Sequence, residues 1–433
     1  GASRTTTVTG TVYDPALRDP LYNISVYVPA VPLTPLPKGV PTGKDACSCG
    51  ALYASGAVVN TTTAVDGTFT LKNVPVGSDV PLVIQVGKWR RQFKIEVKAC
   101  QDNPQPDKTL GLPSTVATGD TNDNMPDIAV STGQADTLEC LMTRIGLPAS
   151  EYVAGTGSPG HIHVFSGGDS GPGLGLAGQA ESPAMPGAPT SWTALWASQA
   201  QLMPYDIVLL SCEGGETYKA NPPALESYLD AGGRAFASHL HYSWFSGPLY
   251  SGQKYSAPSD WGKNLATWSV SIGTGEGPLG GIIDTTLNGS TKPFAKGIAL
   301  QEWLMNLGAL GQGGVPATEL SVYQPRFNAV VGPSNTPSQP WITSDSSSKT
   351  MYFSFDTPVG ASQVCGRAVF SDLHVDGDPS TTDSPPPPGG CDTGPLSPQE
   401  KALEFMLLDL SSCVIPDTQA PPDAGTPLPP PPK

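Results

Sequence analysis

Residues 205–239 contain Tyr205-Asp206-Ile207-Val208-Leu209-Leu210, the polar turn Cys212-Glu213-Gly214-Gly215-Glu216, and, after Gly232-Gly233, Arg234-Ala235-Phe236-Ala237-Ser238-His239. The run 206–210 is short, apolar and bounded by a turn, which predicts a fully buried strand. Residues 223–231 between the two runs carry a helical pattern that Gly232-Gly233 stops. Strand, helix and strand in succession predict a parallel pair joined by a crossover. The same alternation extends outward. Ile128-Ala129-Val130 predicts a strand, and a helix over 135–145 places Leu138, Leu141 and Met142 on one face. His161-Ile162-His163-Val164-Phe165 predicts the next strand, and the runs 351–355 and 367–371 predict the last two. Residues 397–412 read as a closing amphipathic helix, with Ser397-Pro398-Gln399-Glu400 as its capping start. These elements predict a doubly wound, flavodoxin-like α/β domain over 127–414, its parallel sheet covered on both faces. Residues 241–350 are less regular and read as an insertion with a helix near 300–306.

Upstream the period changes to two. Thr7-Val8-Thr9-Gly10-Thr11-Val12-Tyr13, Ile24-Ser25-Val26-Tyr27-Val28, Thr68-Phe69-Thr70-Leu71 and Phe93-Lys94-Ile95-Glu96-Val97 alternate, and Leu82-Val83-Ile84-Gln85-Val86 is mostly apolar. Asp66-Gly67 supplies a tight turn. Short strands with regular turn signals and no helical period predict an all-β sandwich over 1–115. The chain is therefore multidomain, with a linker over 116–126 and a Pro-rich tail over 415–433 that reads as an extended spacer. Asp120-Thr121-Asn122-Asp123-Asn124 places oxygens at alternate positions, as a calcium loop begins. Met125 and Ser131 then stand where an EF-hand needs Gly and Glu, which predicts a solvated Asx-rich linker instead.

Two resemblances follow from these motifs. Val8-Thr9-Gly10-Thr11-Val12 and Thr63-Ala64-Val65-Asp66-Gly67-Thr68-Phe69-Thr70-Leu71-Lys72-Asn73-Val74-Pro75-Val76-Gly77 resemble the carboxypeptidase regulatory-like domain, a transthyretin-like sandwich of extracellular proteins. That resemblance covers about a quarter of the chain and implies a non-catalytic spacer; the family pattern is interrupted by a Pro-rich insertion over 29–50. The stretches 205–210, 229–236 with Ser238-His239, and 366–370 with His374 are similar to the class I glutamine amidotransferase-like superfamily, especially its ThuA-like branch. In amidotransferases the elbow after the Gly-Gly strand carries a nucleophilic Cys. Ser238-His239 occupies that place here, so the resemblance does not imply glutamine hydrolysis.

Composition excludes several function classes. The chain has 433 residues, 49 Gly, 47 Pro and a net charge of −15, with only 14% charged residues. Its one basic cluster is Lys88, Arg90 and Arg91, too small a face for nucleic acid, and the acidic balance is repelled by an anionic membrane. No apolar run reaches the roughly 18 residues of a spanning helix. Eight cysteines (Cys47, Cys49, Cys100, Cys140, Cys212, Cys365, Cys391, Cys413) form an even set that predicts disulfides in an oxidising compartment, hence a secreted or cell-surface protein. Their pairing stays open. Cys47-Ser48-Cys49 lacks the spacing of a structural zinc site. Gly1 stands where an initiator Met would, consistent with a processed N-terminus or with a chain boundary.

Ligands of doubly wound sheets bind beyond the carboxyl ends of the strands. Three predicted strand ends are polar: Glu213 and Glu216 after 206–210, His239-Leu240-His241 after 234–238, and Asp372-Leu373-His374-Val375-Asp376 after 367–371. Imidazoles and carboxylates together suit acid–base or metal chemistry. The candidate catalytic residues are His374, His239 and Glu213; the candidate ligands of a divalent metal are His239, His241, His374 and Asp372. Against these stand plainer expectations: Glu213 and Glu216 as solvated loop carboxylates, Cys212 as a disulfide partner, and His161 and His163 as a second pair sharing one strand face. Tyr242, Trp244, Phe245 and Tyr250 suit either sugar stacking or a core. Taken together, the sandwich, low charge, Pro-rich tail and missing nucleophile point to an exported non-catalytic surface, assembly or adhesion protein, partnered by itself or other surface components. The alternative is a metal-assisted hydrolase acting on a glycan or amide. It requires His239 and His374 to converge.

Overall fold

The computed structural model describes residues 5–43, 46–47, 50–117, 119–133, 135–168, 190–217, 221–271, 278–375, 391 and 394–418. Within residues 5–111 lie two four-stranded sheets. Thr7–Tyr13 pairs antiparallel with Thr68–Lys72 and parallel with Asp102–Pro104 and Leu110–Gly111. The second sheet runs Ala57–Thr62, Ser25–Pro29, Gly77–Val86, Trp89–Val97. Period-two patterning sets the inner face: Thr68–Lys72 buries Phe69 and Leu71 and exposes Thr68, Thr70 and Lys72. Val8, Val12, Phe69 and Leu71 of one sheet meet Val26, Val28, Leu82 and Ile84 of the other in one core. Within the Pro-rich insertion, Leu33, Leu36 and Val40 are buried, with Leu33 against Tyr27 and Val83.

The Asx-rich linker is exposed at Asp120, Thr121 and Asn122 and half-buried at Asp123 and Asn124. Asp120 does form an Asx turn, accepting from the Asn122 amide at 2.7 Å. The segment is then strapped to the sandwich: Arg90 donates to the carbonyls of Asn122, Thr121 and Thr34, each at 2.9 Å.

The large sheet has two halves. Tyr152–Ala154, Ile162–Ser166, Ile128–Ser131, Ile207–Leu210, Arg234–Ser238 and Gly366–Ser371 lie side by side in that order, all parallel. Thr350–Thr357, Ser338–Ser344, Leu279–Ile283 and Glu319–Val322 continue it antiparallel. Thus residues 241–350, expected as an irregular insertion, supply strands to the same sheet. A short connection such as that from Ser344 to Thr350 can return the chain only antiparallel, which is why a wholly parallel sheet does not form.

The parallel strands are apolar on both sides because both sides are covered. Ile128, Val130, Ile207, Leu209, Phe236 and Val369 pack with helices Leu138–Arg144 and Pro398–Ser411. The alternate residues Ala129, Val208, Leu210, Ala235, Ala237 and Phe370 pack with Leu225, Tyr228 and Leu229 of helix Pro223–Asp230. Ser397 caps the closing helix, its hydroxyl accepting from Glu400 N while the Glu400 carboxylate accepts from Ser397 N at 2.7 Å.

The sandwich docks where the parallel strands begin. Lys88 pairs with Asp206, Lys401 with Asp19 at 3.2 Å, and Trp303 Nε1 donates to Pro20 O at 2.6 Å. Tyr22 stacks on Phe405 of the closing helix, and the Cys47–Cys365 disulfide joins residues 318 apart in sequence. A second disulfide joins Cys140 to Cys391, and Cys413 is also disulfide-bonded. At the same edge Arg367, 1% exposed, meets Asp356 and Asp409 at 2.8 Å and Asp417 at 2.9 Å. Residues 415–418 of the predicted spacer are thereby held; 419–433 lie outside the described residues. Among the described residues no helix is long and apolar enough to cross a membrane.

Candidate functional site

The opposite edge of the sheet is built differently. Ile207–Leu210, Arg234–Ser238 and Gly366–Ser371 are consecutive neighbours, with Leu210 opposite Ala237 and Ser238 opposite Ser371. Residues just past these ends are therefore side by side. Gly133 makes room for the first of them, since a β-carbon there would sit 2.1 Å from the Cys212 carbonyl oxygen. After Ser238 the chain turns through His239, whose φ of +46° is the left-handed conformation that non-glycine residues rarely adopt. Backbone strain of this kind persists where the surroundings hold it, often at ligand-binding positions.

His239 Nδ1 lies 3.2 Å from Cys212 Sγ, and its Nε2 lies 2.7 Å from Ser271 O. A carbonyl only accepts, so Nε2 carries the hydrogen and Nδ1 presents its lone pair to the Cys212 S–H. Burial pushes the Cys212 thiol up to about 12 and the His239 imidazole down to about 3. The two are a neutral thiol–imidazole pair. His374 stands beside them, its ring centroid 5.0 Å from that of His239. Burial, reinforced by the neighbouring His239 imidazole and by the Arg326 charge, holds it well below the usual imidazole range, and its Nε2 has no hydrogen-bond partner among the described residues. Donor atoms of Cys212, His239 and His374 all lie within 4.8 Å of one another, the one such grouping among the described residues.

A surrounding layer fixes these groups. Asp136 accepts from Ser238 Oγ at 2.5 Å, Val375 N at 2.9 Å and Thr137 N at 3.0 Å, tying together the strand ends. Gln399 donates to the His374 carbonyl and accepts from Tyr323 N at 3.0 Å. Arg326 enters from the antiparallel half, 6% exposed.

The other candidates face elsewhere. His241 Nε2 lies 2.9 Å from Glu213 Oε2 and 3.0 Å from Ser211 O, so it stands outside the Cys212 cluster. Asp372 accepts from Asn328 N at 2.8 Å through Oδ2, leaves Oδ1 unpartnered, and is raised by burial to about 8. Glu213 and Glu216 are not solvated: both are fully buried. Backbone donors explain this. Gly168 N reaches Glu213, and Leu249, Tyr250 and Ser251 amides with the Tyr242 hydroxyl surround Glu216. Those bonds outweigh burial and lower the Glu216 carboxyl. Asp376 lies outside the described residues. His161 and His163 sit at the far edge, bonded to Glu151 and to Gly155 O and Asp127. Cys212 is free and buried, contrary to the disulfide expectation, because its strand end points it at His239. Tyr242, Trp244 and Phe245 are core residues with no exposed ring face for a sugar. Asp136 and Arg326 had no sequence signal: neither lies in a motif or at a predicted strand end.

Compared with known protein families and with curated proteins, the chain matches none. Among solved structures, two interface mutants of a type II cohesin–X-dockerin complex from Acetivibrio cellulolyticus align over 35% of this chain and 78% of that one, at 16% and 15% identity and TM-score 0.15. A 9R-lipoxygenase from Cyanothece PCC8801 aligns over 25% of this chain and 16% of that one, at 15% identity and TM-score 0.12. Similarities this slight carry no argument about fold or function.

Proposed function

We propose that the chain is an exported metal-assisted hydrolase acting on a glycan or an amide, with Cys212, His239 and His374 as the metal-binding set. The observation that carries this reading is the convergence of three donor atoms within 4.8 Å at the carboxyl edge of the parallel sheet. Buried polar atoms normally have partners, and the bare Nε2 of His374 is what a ligand position leaves. A free buried Cys beside disulfide-bonded cysteines fits a metal thiolate as well. One sulfur and two imidazoles suit a borderline-soft ion such as zinc, with a fourth position open. Such an ion polarises the scissile bond and lowers the pKa of water. Cys212 would hold such an ion as its thiolate, and the His239 Nε2–H bond to Ser271 O leaves the Nδ1 lone pair free to serve as a ligand. To Glu213, next to Cys212 and paired with His241, we assign proton transfer.

The strand order 162–166, 128–131, 207–210, 234–238, 366–371 supports a flavodoxin-like, class I amidotransferase-like domain over 127–414, since it is the 2-1-3-4-5 order once the edge strand is set aside. His239 then stands at the elbow. The two sheets of residues 1–115 support the carboxypeptidase regulatory-like reading and a spacer role. Disulfides support an oxidising, extracellular location.

A second reading, a surface or assembly protein without catalysis, is favoured by the sandwich being stapled and stacked onto the larger unit. The two are separated by assaying zinc-loaded full-length chain on panels of polysaccharides and amides. Turnover that is abolished by chelation and by His374→Ala is expected. Turnover that survives His374→Ala, or none on any panel, rejects the hydrolase and leaves assembly, read from concentration-dependent association.

A further inference from the structure

The buried arginines of this chain are treated unequally. Arg144 faces Glu400 at 2.5 Å, Arg367 faces three aspartates, and Arg90 is spread over three carbonyls. Arg326 is as buried as these, at 6% exposed, yet has no ion pair among the described residues. Its Nη1 is held by the carbonyls of Gln324 at 2.5 Å and Pro325 at 3.4 Å. Its Nε has no hydrogen-bond partner among the described residues. Gln324 sits at φ +48°, so the turn that aims this side chain inward is itself strained.

The neighbourhood is the site just described. The charge of Arg326 bears on Cys212, Asp136 and Asp372, and on both His239 and His374. Its loop is locked to the same strand ends: Asn328 N donates to Asp372, and Gln399 bridges Tyr323 N to the His374 carbonyl. Among the described residues neither nearby carboxylate makes a direct ion pair with it. Asp136 is occupied by Ser238, Thr137 and Val375, and Asp372 Oδ2 by Asn328. A buried guanidinium with an unused N–H edge is costly unless an anion completes it, and the planar fork matches a carboxylate side-on.

We infer that Arg326 is an anion-recognition residue beside the Cys212–His239–His374 cluster, and that the molecule bound there carries a carboxylate. This deepens the hydrolase reading, and rests on it, by making the substrate an acidic glycan or an acyl compound with a free carboxylate. The anion subsite itself needs only Arg326 and the fold around it.

The test is calorimetric titration of the full-length chain with sodium acetate and with inorganic phosphate, in chelated and in zinc-loaded form. Wild type is expected to bind acetate saturably in both forms. Arg326→Gln is expected to bind acetate about tenfold or more weakly, since one charged hydrogen-bond pair is removed. Arg326→Lys keeps the charge without the fork and is expected to fall between; it also serves if Arg326→Gln does not fold. Equal acetate affinity in wild type and both variants, or no saturable binding by wild type, overturns the inference. Arg326-dependent binding of phosphate but not acetate overturns the carboxylate assignment. The zinc stoichiometry of the same samples is read separately. Arg326-dependent acetate binding without zinc uptake sinks the hydrolase and leaves the anion subsite standing.

Discussion

The parallel sheet has two edges, and they are built from different polar groups. Where the strands begin, the cations are matched: Lys88 with Asp206, Arg367 with Asp356, Asp409 and Asp417, and Lys296 with Asp409 at 2.7 Å, while the acids Asp14 and Glu404 crowd the docking face beside them. Disulfide Cys47–Cys365 lies at that edge too. Where the strands end, equally buried groups are left incomplete: among the described residues His374 Nε2, Asp372 Oδ1 and Arg326 Nε have no partner, and the Cys212 thiol is aimed at a strained His239. A satisfied polar network specifies and holds a structure, whereas a cluster of buried unsatisfied donors and acceptors at a strand end is what a ligand would complete. Architecture sits at one edge and chemistry at the other.

That contrast is most directly broken at Arg367. Arg367→Ala leaves buried carboxylates without their cation, and denaturant unfolding is expected to show a loss of about 3–5 kcal/mol. A loss under about 1 kcal/mol, the scale of an exposed pair, would mean that the matched edge is not what holds the fold. Next in size is the staple. Cys47→Ser with Cys365→Ser is expected to cost about 2–5 kcal/mol by the same measurement, leaving metal uptake unchanged. Loss of metal in that variant would show the two edges to be coupled. Smaller again is Gln399→Ala, which frees the His374 backbone: zinc affinity is expected to fall about 10–100-fold in competition with a chelating dye.

The smallest effect concerns the docking face. Burial, aided by the Asp19 charge and opposed by the Arg18 amide, raises the Asp14 carboxyl to about 7, and Glu404 beside it is raised by burial and by the Asp14 and Asp19 charges, with Lys401 opposing. An acid with a raised folded pKa stabilises fully below its unfolded value, about 3.9, and that contribution is lost as the pH rises through about 7. Thermal unfolding is therefore expected to show part of the stability declining between those limits, with a shallower slope in Asp14→Asn. An unchanged slope would remove Asp14 from the account.

Continuous apolar runs announced the three strands that carry the site, because a strand buried on both faces has no other composition. Strand-end reasoning then picked out His239 and His374. It could not find their companion. Cys212 reads as one of eight cysteines, and only the register of adjacent strands aims it at His239. His241 and Asp372 are two residues from the right positions in sequence, yet the turn after Ser238 sends His241 to Glu213 and Asn328 claims Asp372. Arg326 and the antiparallel half were hidden for a related reason. Residues 241–350 fold into short strands separated by irregular turns and by the helix Ala295–Asn306, and these strands lack the periodicity that marks strands from a distance.

The central claim is that Cys212, His239 and His374 hold one metal ion. Elemental analysis of the dialysed full-length chain, paired with its cobalt absorption spectrum, tests it most directly. The account predicts about one ion per chain and a thiolate-to-cobalt band, both lost in Cys212→Ser and in His374→Ala while the fold is retained. A wild-type chain that takes up no metal on loading, or a metal content unchanged by both substitutions, would contradict it.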